Sequence, residues 1–475
     1  MFIQLQKKSR TIRTCKPMTI SLLSLSAILM LLLIFSTNPC FQTTQILLPN
    51  FNLNYFKNTN QETTPTNISH IIFGIASVVK SWDARKHYVE SWWRPNGTRG
   101  FLCLDQAPTR HLPWPPTSPR VLVINQTMGQ KDIPHTIRIA RMIKDTFNME
   151  NKGVRWYVMA DDDTIFFLDN LVDVLSKYDH NGYYYVGMNA ESIISNSQFS
   201  FMMGFGGAGV AFSYPLANIL AKNLDECLKR YHDIHWSDYI LQSCVADLGV
   251  SLTQVKGFHQ IDLHGDISGF LSTHPQTPLV SLHHLDMVEP IFPAMDRHQS
   301  LRHLMTSAKA DQSRLLQQSI CYNHPKNWSL SLSWGYSVHI YEKNIPPSVL
   351  QVPIQTFLEW RRGAKPAFMM NTRGLSMDPC DIPHYFYFDS VESGGGEKHE
   401  QVVTSYVRRF PRRLPPCMSN GNHSASYVEK ILVISPATRL EMEGSRRECC
   451  DVIHVETQNV TTIKIRPCME YEIMG

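Results

Sequence analysis

From His70 onward the chain alternates short apolar runs with longer stretches in which apolar residues return every three or four positions. His70-Ile71-Ile72-Phe73-Gly74-Ile75-Ala76-Ser77 predicts a buried strand running into a loop of small residues. Across Asp83 to Trp93, the spacing of Tyr88, Val89, Trp92 and Trp93 predicts a helix. Phe101–Leu104 and Arg120–Ile124 predict two more strands, with the Pro-rich stretch His111–Pro119 looping between them. Ile137, Ala140, Ile143 and Phe147 recur near the helical period, which predicts a helix over Ile133–Phe147. That helix leads into Trp156-Tyr157-Val158-Met159-Ala160, an aromatic-rich strand that ends in three acids. A helix from Asn170 to Tyr178 and a strand at Tyr183–Gly187 follow. Alternating strands and helices predict an α/β fold, a mostly parallel central sheet covered on both faces.

After Met295 the pattern changes. From Trp328 to Tyr341 the alternation has period two, with Leu330, Leu332, Trp334, Tyr336, Val338 and Ile340 on one face and mostly Ser on the other. Ile431–Ile434 and Thr461–Ile465 predict further strands. Residues 301–475 therefore read as a β-rich, Cys-containing C-terminal domain, sandwich-like, without a catalytic motif of its own. Residues 70–300 form the α/β domain.

The N-terminal region adds a membrane segment. The first sixty-one residues carry no Asp or Glu, and Lys7, Lys8, Arg10, Arg13 and Lys16 precede an uncharged stretch, Met18–Thr37. About twenty helical residues span about 30 Å, the thickness of a bilayer's hydrocarbon core. Basic residues ahead of the stretch predict a cytoplasmic tail (1–17), a transmembrane anchor (18–37) and a single-pass type II protein. A cleaved signal peptide or a transit peptide is the alternative. Residues 38–69, rich in Asn, Thr and Gln, read as a stem. Six sequons, beginning at Asn67, Asn96, Asn125, Asn327, Asn422 and Asn459, agree with luminal exposure. In an oxidising lumen most of the eleven cysteines can pair, and Cys227 with Cys244 is the expected bridge. No CxxC pair points to structural zinc. A formal net charge of +4 gives no reason to expect a nucleic-acid partner.

Asp161-Asp162-Asp163 is the sharpest chemical feature. Carboxylates 4–5 Å apart repel by roughly 3–4 kcal/mol at an effective dielectric near 20. In open α/β sheets, ligands bind beyond the carboxyl ends of strands. A divalent cation holding a phosphate accounts for the run. So does a solvated acidic turn in which Asp163 or Thr164 caps a short helix and Asp169 the next one. In Met203-Gly204-Phe205-Gly206-Gly207-Ala208-Gly209-Val210, the glycines permit close backbone approach to a ligand or simply a tight turn.

Together with Phe73-Gly74-Ile75-Ala76, Trp92-Trp93-Arg94-Pro95, Tyr178-Asp179-His180-Asn181 and Leu282-His283-His284-Leu285-Asp286, these motifs resemble the fringe-type glycosyltransferases. The likeness runs from about residue 70 to the C-terminus and is greatest to the plant fringe-related group with an uncharacterised C-terminal domain. The resemblance implies a GT-A fold, a UDP-sugar donor, Mn²⁺ or another divalent cation, a glycan or glycoprotein acceptor, and inverting transfer of a hexosyl or N-acetylhexosaminyl group, with a β-1,3 linkage expected. It implies a Golgi membrane location with the catalytic part luminal. It gives Asp163 and His283 the role of metal ligands, with His284 close behind, and Asp161 and Asp162 that of donor support. Ala76, Ser77, Arg85, Gly207 and Gly209 would line the donor site. Asp238, in Trp236-Ser237-Asp238-Tyr239 ahead of Cys244, takes the place of the catalytic base, unless it serves only to cap the following helix. Tyr239 stands where those relatives carry a second acid, which keeps a non-catalytic carbohydrate-binding ectodomain as the alternative.

Overall fold

The computed structural model describes residues 64–124, 135–363, 365–393, 401–418, 423–441, 446–454 and 459–474. The expected cytoplasmic tail, the anchor and most of the stem lie outside them. No helix among the described residues is long and apolar enough to cross a membrane.

The strands in chain order are β1 (Ile71–Ala76), β2 (Arg99–Leu104), β3 (Arg120–Val123), β4 (Trp156–Asp161), β5 (Ile165–Phe166), β6 (Tyr185–Gly187), β7 (Val210–Ser213), β8 (Leu252–Gln254), β9 (Phe258–His259), β10 (Leu263–Gly265) and β11 (Ser281–Leu282). Then come β12 (Gln318–Asn323), β13 (Trp328–Ser333), β14 (Ser337–Tyr341), β15 (Phe357–Glu359), β16 (His384–Ser393), β17 (Gln401–Arg408), β18 (Lys430–Pro436), β19 (Cys449–His454) and β20 (Val460–Arg466).

Seven strands form the central sheet in the order β3-β2-β1-β4-β7-β6-β8. The pairs from β3 to β4 are parallel, β7 runs antiparallel to both its neighbours, and β6 pairs β8 in parallel. The sheet is thus mixed, with parallel pairs in the majority. Every residue of β1 is buried, as expected of a strand covered on both faces. The helix Val79–Trp92 packs Trp82, Tyr88, Val89 and Trp92 inward, and His135–Met149 packs Ala140, Met142, Ile143 and Phe147.

The first of these helices opens four residues earlier than its apolar spacing predicts. Its cap is tertiary: Asp105 Oδ1, beyond β2, accepts from Val79 N at 2.9 Å. Asp169 does not cap the helix Leu168–Ser176; it pairs with Arg94 at 2.8 Å. No helix begins at Asp163 or Thr164, because β5 follows them directly.

The C-terminal strands correct the sandwich expectation. They form one eight-stranded sheet, β12-β13-β14-β16-β17-β18-β20-β19, and the Cys321–Cys450 disulfide ties its first strand to its last. Alternation tells which face of a strand is buried, not how far a sheet curls. The period-two segment is itself a hairpin, turning at Gly335 with φ +74°, so Leu330 faces Ile340 and Leu332 faces Val338. Cys227–Cys244, Cys380–Cys417 and Cys449–Cys468 are also paired, while Cys103 is buried and free. Phe73 of β1, Leu304 of the helix Arg297–Ala310 and Ile463 of β20 share one apolar core.

Candidate active site

The site stands at the carboxyl ends of β1 and β4, where Ala76 and Asp161 are register partners. Beyond the sheet the three acids diverge. Asp162 turns toward the β1 loop, accepting from Ser77 Oγ at 2.7 Å and from Arg85 at 3.0 Å. Asp163 turns the other way, toward His283. Thr164 Oγ1 holds the bend, accepting from Asp161 N at 3.0 Å and donating to the Gly207 carbonyl at 2.7 Å.

His283 arrives by strand pairing. β11 lies between β5 and β9, with Leu282 opposite Ile165. The next residue after β11 therefore meets the acids just before β5. His283 Nε2 stands 3.0 Å from Asp163 Oδ1 and 3.8 Å from Asp161 Oδ2. Asp161, Asp163 and His283 each bring a donor atom within 4.8 Å of the others. Arg85, on the helix Val79–Trp92, lies within 3.4 Å of Asp163 and 2.8 Å of Asp286.

The Gly-rich segment is the floor. A Cβ on Gly207 would sit 2.2 Å from His283 Cε1, and one on Gly206 would sit 2.6 Å from Asp238 Oδ1. Consecutive glycines thus admit the imidazole and the carboxylate side by side. Gly209, at φ +91°, completes the turn into β7. Asp238 lies in the first turn of the helix Ser237–Asp247 but caps nothing there; its Oδ2 accepts from Gly206 N at 2.9 Å. It lines a cleft of about 330 Å³ together with Tyr239, Asp262, His284, Trp236 and Trp360.

The electrostatics follow from crowding. Burial would lower the His283 imidazole, but Asp163 and Asp161 lift it to about 9. Burial would raise the Asp163 carboxyl, yet His283 and Arg85 hold it below the usual carboxylate range. Burial pushes Asp161 up to about 7, against the pull of His283. Asp238 is likewise raised by burial, with the Gly206 N–H opposing the shift. Two non-glycine residues here, Ile261 (φ 51°) and His284 (φ 57°), hold left-handed backbone, a strain that clusters at functional sites.

Of the residues singled out in the sequence, Ala76, Ser77, Arg85, Asp161, Asp162, Asp163, Gly207 and His283 gather at the acidic turn, Asp238 lines the cleft, and Gly209 sits apart against Phe166. Sequence reasoning missed three others. Asp286 anchors Arg85 and was visible in the Leu282–Asp286 motif. Asp262 faces His284 at 3.1 Å. Trp360 follows β15, which pairs with β10, and stacks on His284 at 4.8 Å and His264 at 4.5 Å. It belongs to the part of the chain read as β-rich and catalytically silent, so no local signal pointed to it.

Fold and site define an α/β protein with a carboxylate–imidazole cluster at strand carboxyl ends. The chain belongs to the family described as "Protein of unknown function, DUF604", which matches residues 195–450, more than half its length. It is also similar to a mouse beta-1,3-glucosyltransferase, 26% identical over 129 residues, which span 27% of this chain and only 25% of that protein. Among solved structures it is similar to the glycosyltransferase GlyE of Streptococcus pneumoniae TIGR4 (TM-score 0.27, 13% identity, 40% of this chain and 46% of that one). Another is mouse xyloside xylosyltransferase 1 in its apo form (TM-score 0.24, 10% identity, 39% and 84%). Similarity this distant assigns no residue a role.

Proposed function

We propose that the chain is an inverting, divalent-metal-dependent glycosyltransferase that moves a sugar from a UDP-sugar to a hydroxyl of a glycan or glycoconjugate, with a β-1,3 linkage expected. One observation carries the reading: Asp161, Asp163 and His283 gather their donor atoms beside Asp238, across adjacent glycines. The similarity to a beta-1,3-glucosyltransferase over part of the chain supports it.

The residues suit a cation. Two carboxylates and an imidazole are a donor set for Mn²⁺. The Asp161 side chain, 37% exposed, accepts no hydrogen bond among the described residues and has only His283 as an ion-pair partner. Asp161, Asp163 and His283 would hold the ion. When bound, it supplies positive charge for the departing diphosphate. Arg85 adds a guanidinium to the same purpose, and Ser77 keeps Asp162 turned to the β1 loop. Asp238 takes the acceptor proton. Gly206 N–H fixes its Oδ2, while among the described residues Oδ1 has only a 3.4 Å contact from Ser237 and can accept a further proton. Burial raises its pKa above the usual carboxylate value, which strengthens it as a base. A base facing the leaving group across the sugar gives inversion. Trp236, exposed in the wall of the cleft, is the aromatic surface for the acceptor sugar, while Trp360 is stacked on His284 and His264 and shapes the cleft.

In this reading residues 70–300 carry the transferase and 301–475 a β-rich domain. The Golgi membrane, with the catalytic part luminal, is the proposed location. Its support is the acid-free, basic segment ahead of Met18–Thr37 and four disulfides among the described residues.

The test is a panel of UDP-sugars with Mn²⁺ on the purified chain, read as thermal stabilisation and transfer. Asp163→Ala should lose metal-dependent UDP binding. Asp238→Asn should keep that binding while transfer falls about 10²–10⁴-fold. Equal activity in both variants and the parent overturns the roles. Glycan binding without UDP binding favours a non-catalytic ectodomain, the reading that Tyr239 beside Asp238 supports.

A further inference from the structure

We propose that Glu191, His259 and His274 form a second cation site, of the zinc class, apart from the acidic turn after β4. Each offers one donor atom, and the three atoms lie within 4.8 Å of one another. Glu191 and His259 are buried, and His274 is half-buried in the wall of a separate cleft of about 390 Å³. His259 Nδ1 stands 2.8 Å from Glu191 Oε1. Its other ring nitrogen, Nε2, is buried without a hydrogen-bond partner among the described residues. A buried polar atom left in this state calls for an explanation, and a bound ligand is one. Two imidazoles and a carboxylate are a common zinc donor set, with a fourth position left to water from the cleft. Imidazole ligation also argues against magnesium and calcium, which take oxygen.

The surroundings say what such an ion does. Glu191 Oε2 accepts from Ile261 N at 2.8 Å, and Ile261 holds left-handed backbone at φ 51°. A β-branched residue adopts that conformation only where its surroundings impose it. On either side of it, Gln260 accepts from Ala208 N at 2.8 Å and Asp262 faces His284 at 3.1 Å. His259 and Glu191 therefore anchor the segment between β9 and β10, which carries one wall of the catalytic cleft. The site's role is structural: it fixes that wall, and it holds whether or not the transfer reaction is as proposed.

The test uses the full chain carrying Asp163→Asn, which removes a ligand of the acidic cluster. The protein is stripped with a chelator, titrated with Zn²⁺ alone, desalted, and its bound zinc counted by mass spectrometry alongside its melting temperature. One equivalent and a zinc-dependent rise in melting temperature are expected. Adding His274→Gln should abolish both, while the zinc-free melting temperature stays close to that of the parent. Zinc binding unchanged by His274→Gln, or no zinc in the parent, overturns the site. Should His274→Gln fail to fold, Co²⁺ loading of the Asp163→Asn chain decides. Intense tetrahedral d–d absorption is expected, and a weak octahedral spectrum overturns the proposal.

Discussion

Glu342, just past β14, and Asp161, at the end of β4, are both carboxylates set beside a histidine, yet their surroundings differ in kind. Glu342 is saturated. Its Oε1 accepts from His384 at 2.8 Å, Ser424 at 2.9 Å and Ala425 N at 2.8 Å. Its Oε2 accepts from Arg412 at 3.2 Å and Cys417 N at 2.8 Å. Asp161 has two acids beside it in the chain and, for a partner, His283 at 3.8 Å, which stands closer to Asp163. Burial would raise Glu342, but these donors hold it down at about 2, whereas burial carries Asp161 up to about 7. A carboxylate fully supplied with donors is part of the scaffold. One left short of them beside like charges is stable only at a cost, and that shortage is what a cation relieves.

Breaking the saturated centre should have the largest effect. Glu342→Ala strands Arg412 and several buried donors, and unfolding by denaturant should show a loss of roughly 3–5 kcal/mol. A loss below about 1 kcal/mol would dissolve the contrast. In the acidic centre the damage should fall on activity instead. Gly207→Ala drives a Cβ to 2.2 Å from His283 Cε1, and displacing that ring should lower transfer by about 10²-fold with little change in melting temperature. Wild-type rates in this variant would remove His283 from the site.

Acidity sharpens the comparison further. Glu342 titrates lower in the folded chain than its ordinary 4.5, so its contribution is complete above that pH and is lost as pH falls toward about 2. Asp161 titrates higher than its ordinary 3.8, so the folded state binds its proton preferentially. In chelator-treated protein it should cost stability as pH rises from 3.8 toward about 7. The smallest expected effect follows. Asp161→Asn should flatten that slope and raise stability near neutral pH by less than about 1 kcal/mol, since solvent screens a side chain that is 37% exposed. A destabilised variant would mean that Asp161 has partners the contrast denies it.

Much of this was legible in residue order. The strands at Ile71–Ala76 and Trp156–Asp161 announce themselves by unbroken apolar runs, because strands buried on both faces leave no polar side to confuse the pattern. Trp360 and the curl of the C-terminal sheet were not legible. Trp360 reaches the cleft through β15 pairing with β10, a contact with no local signature. The start of the helix Val79–Trp92 was misread for the same reason, since its cap comes from Asp105 on another segment.

By itself, then, the sequence determined which segments are buried and which residue types stand at their ends, since burial and periodicity are properties of neighbours along the chain. Only the tertiary structure decided that Asp163 and His283, 120 residues apart, share a proton's distance, and that Asp162 turns away to Ser77. Those outcomes depend on strand register and on β11 wedging between β5 and β9. Register is fixed by the packing of whole faces, a quantity that no stretch of sequence contains alone.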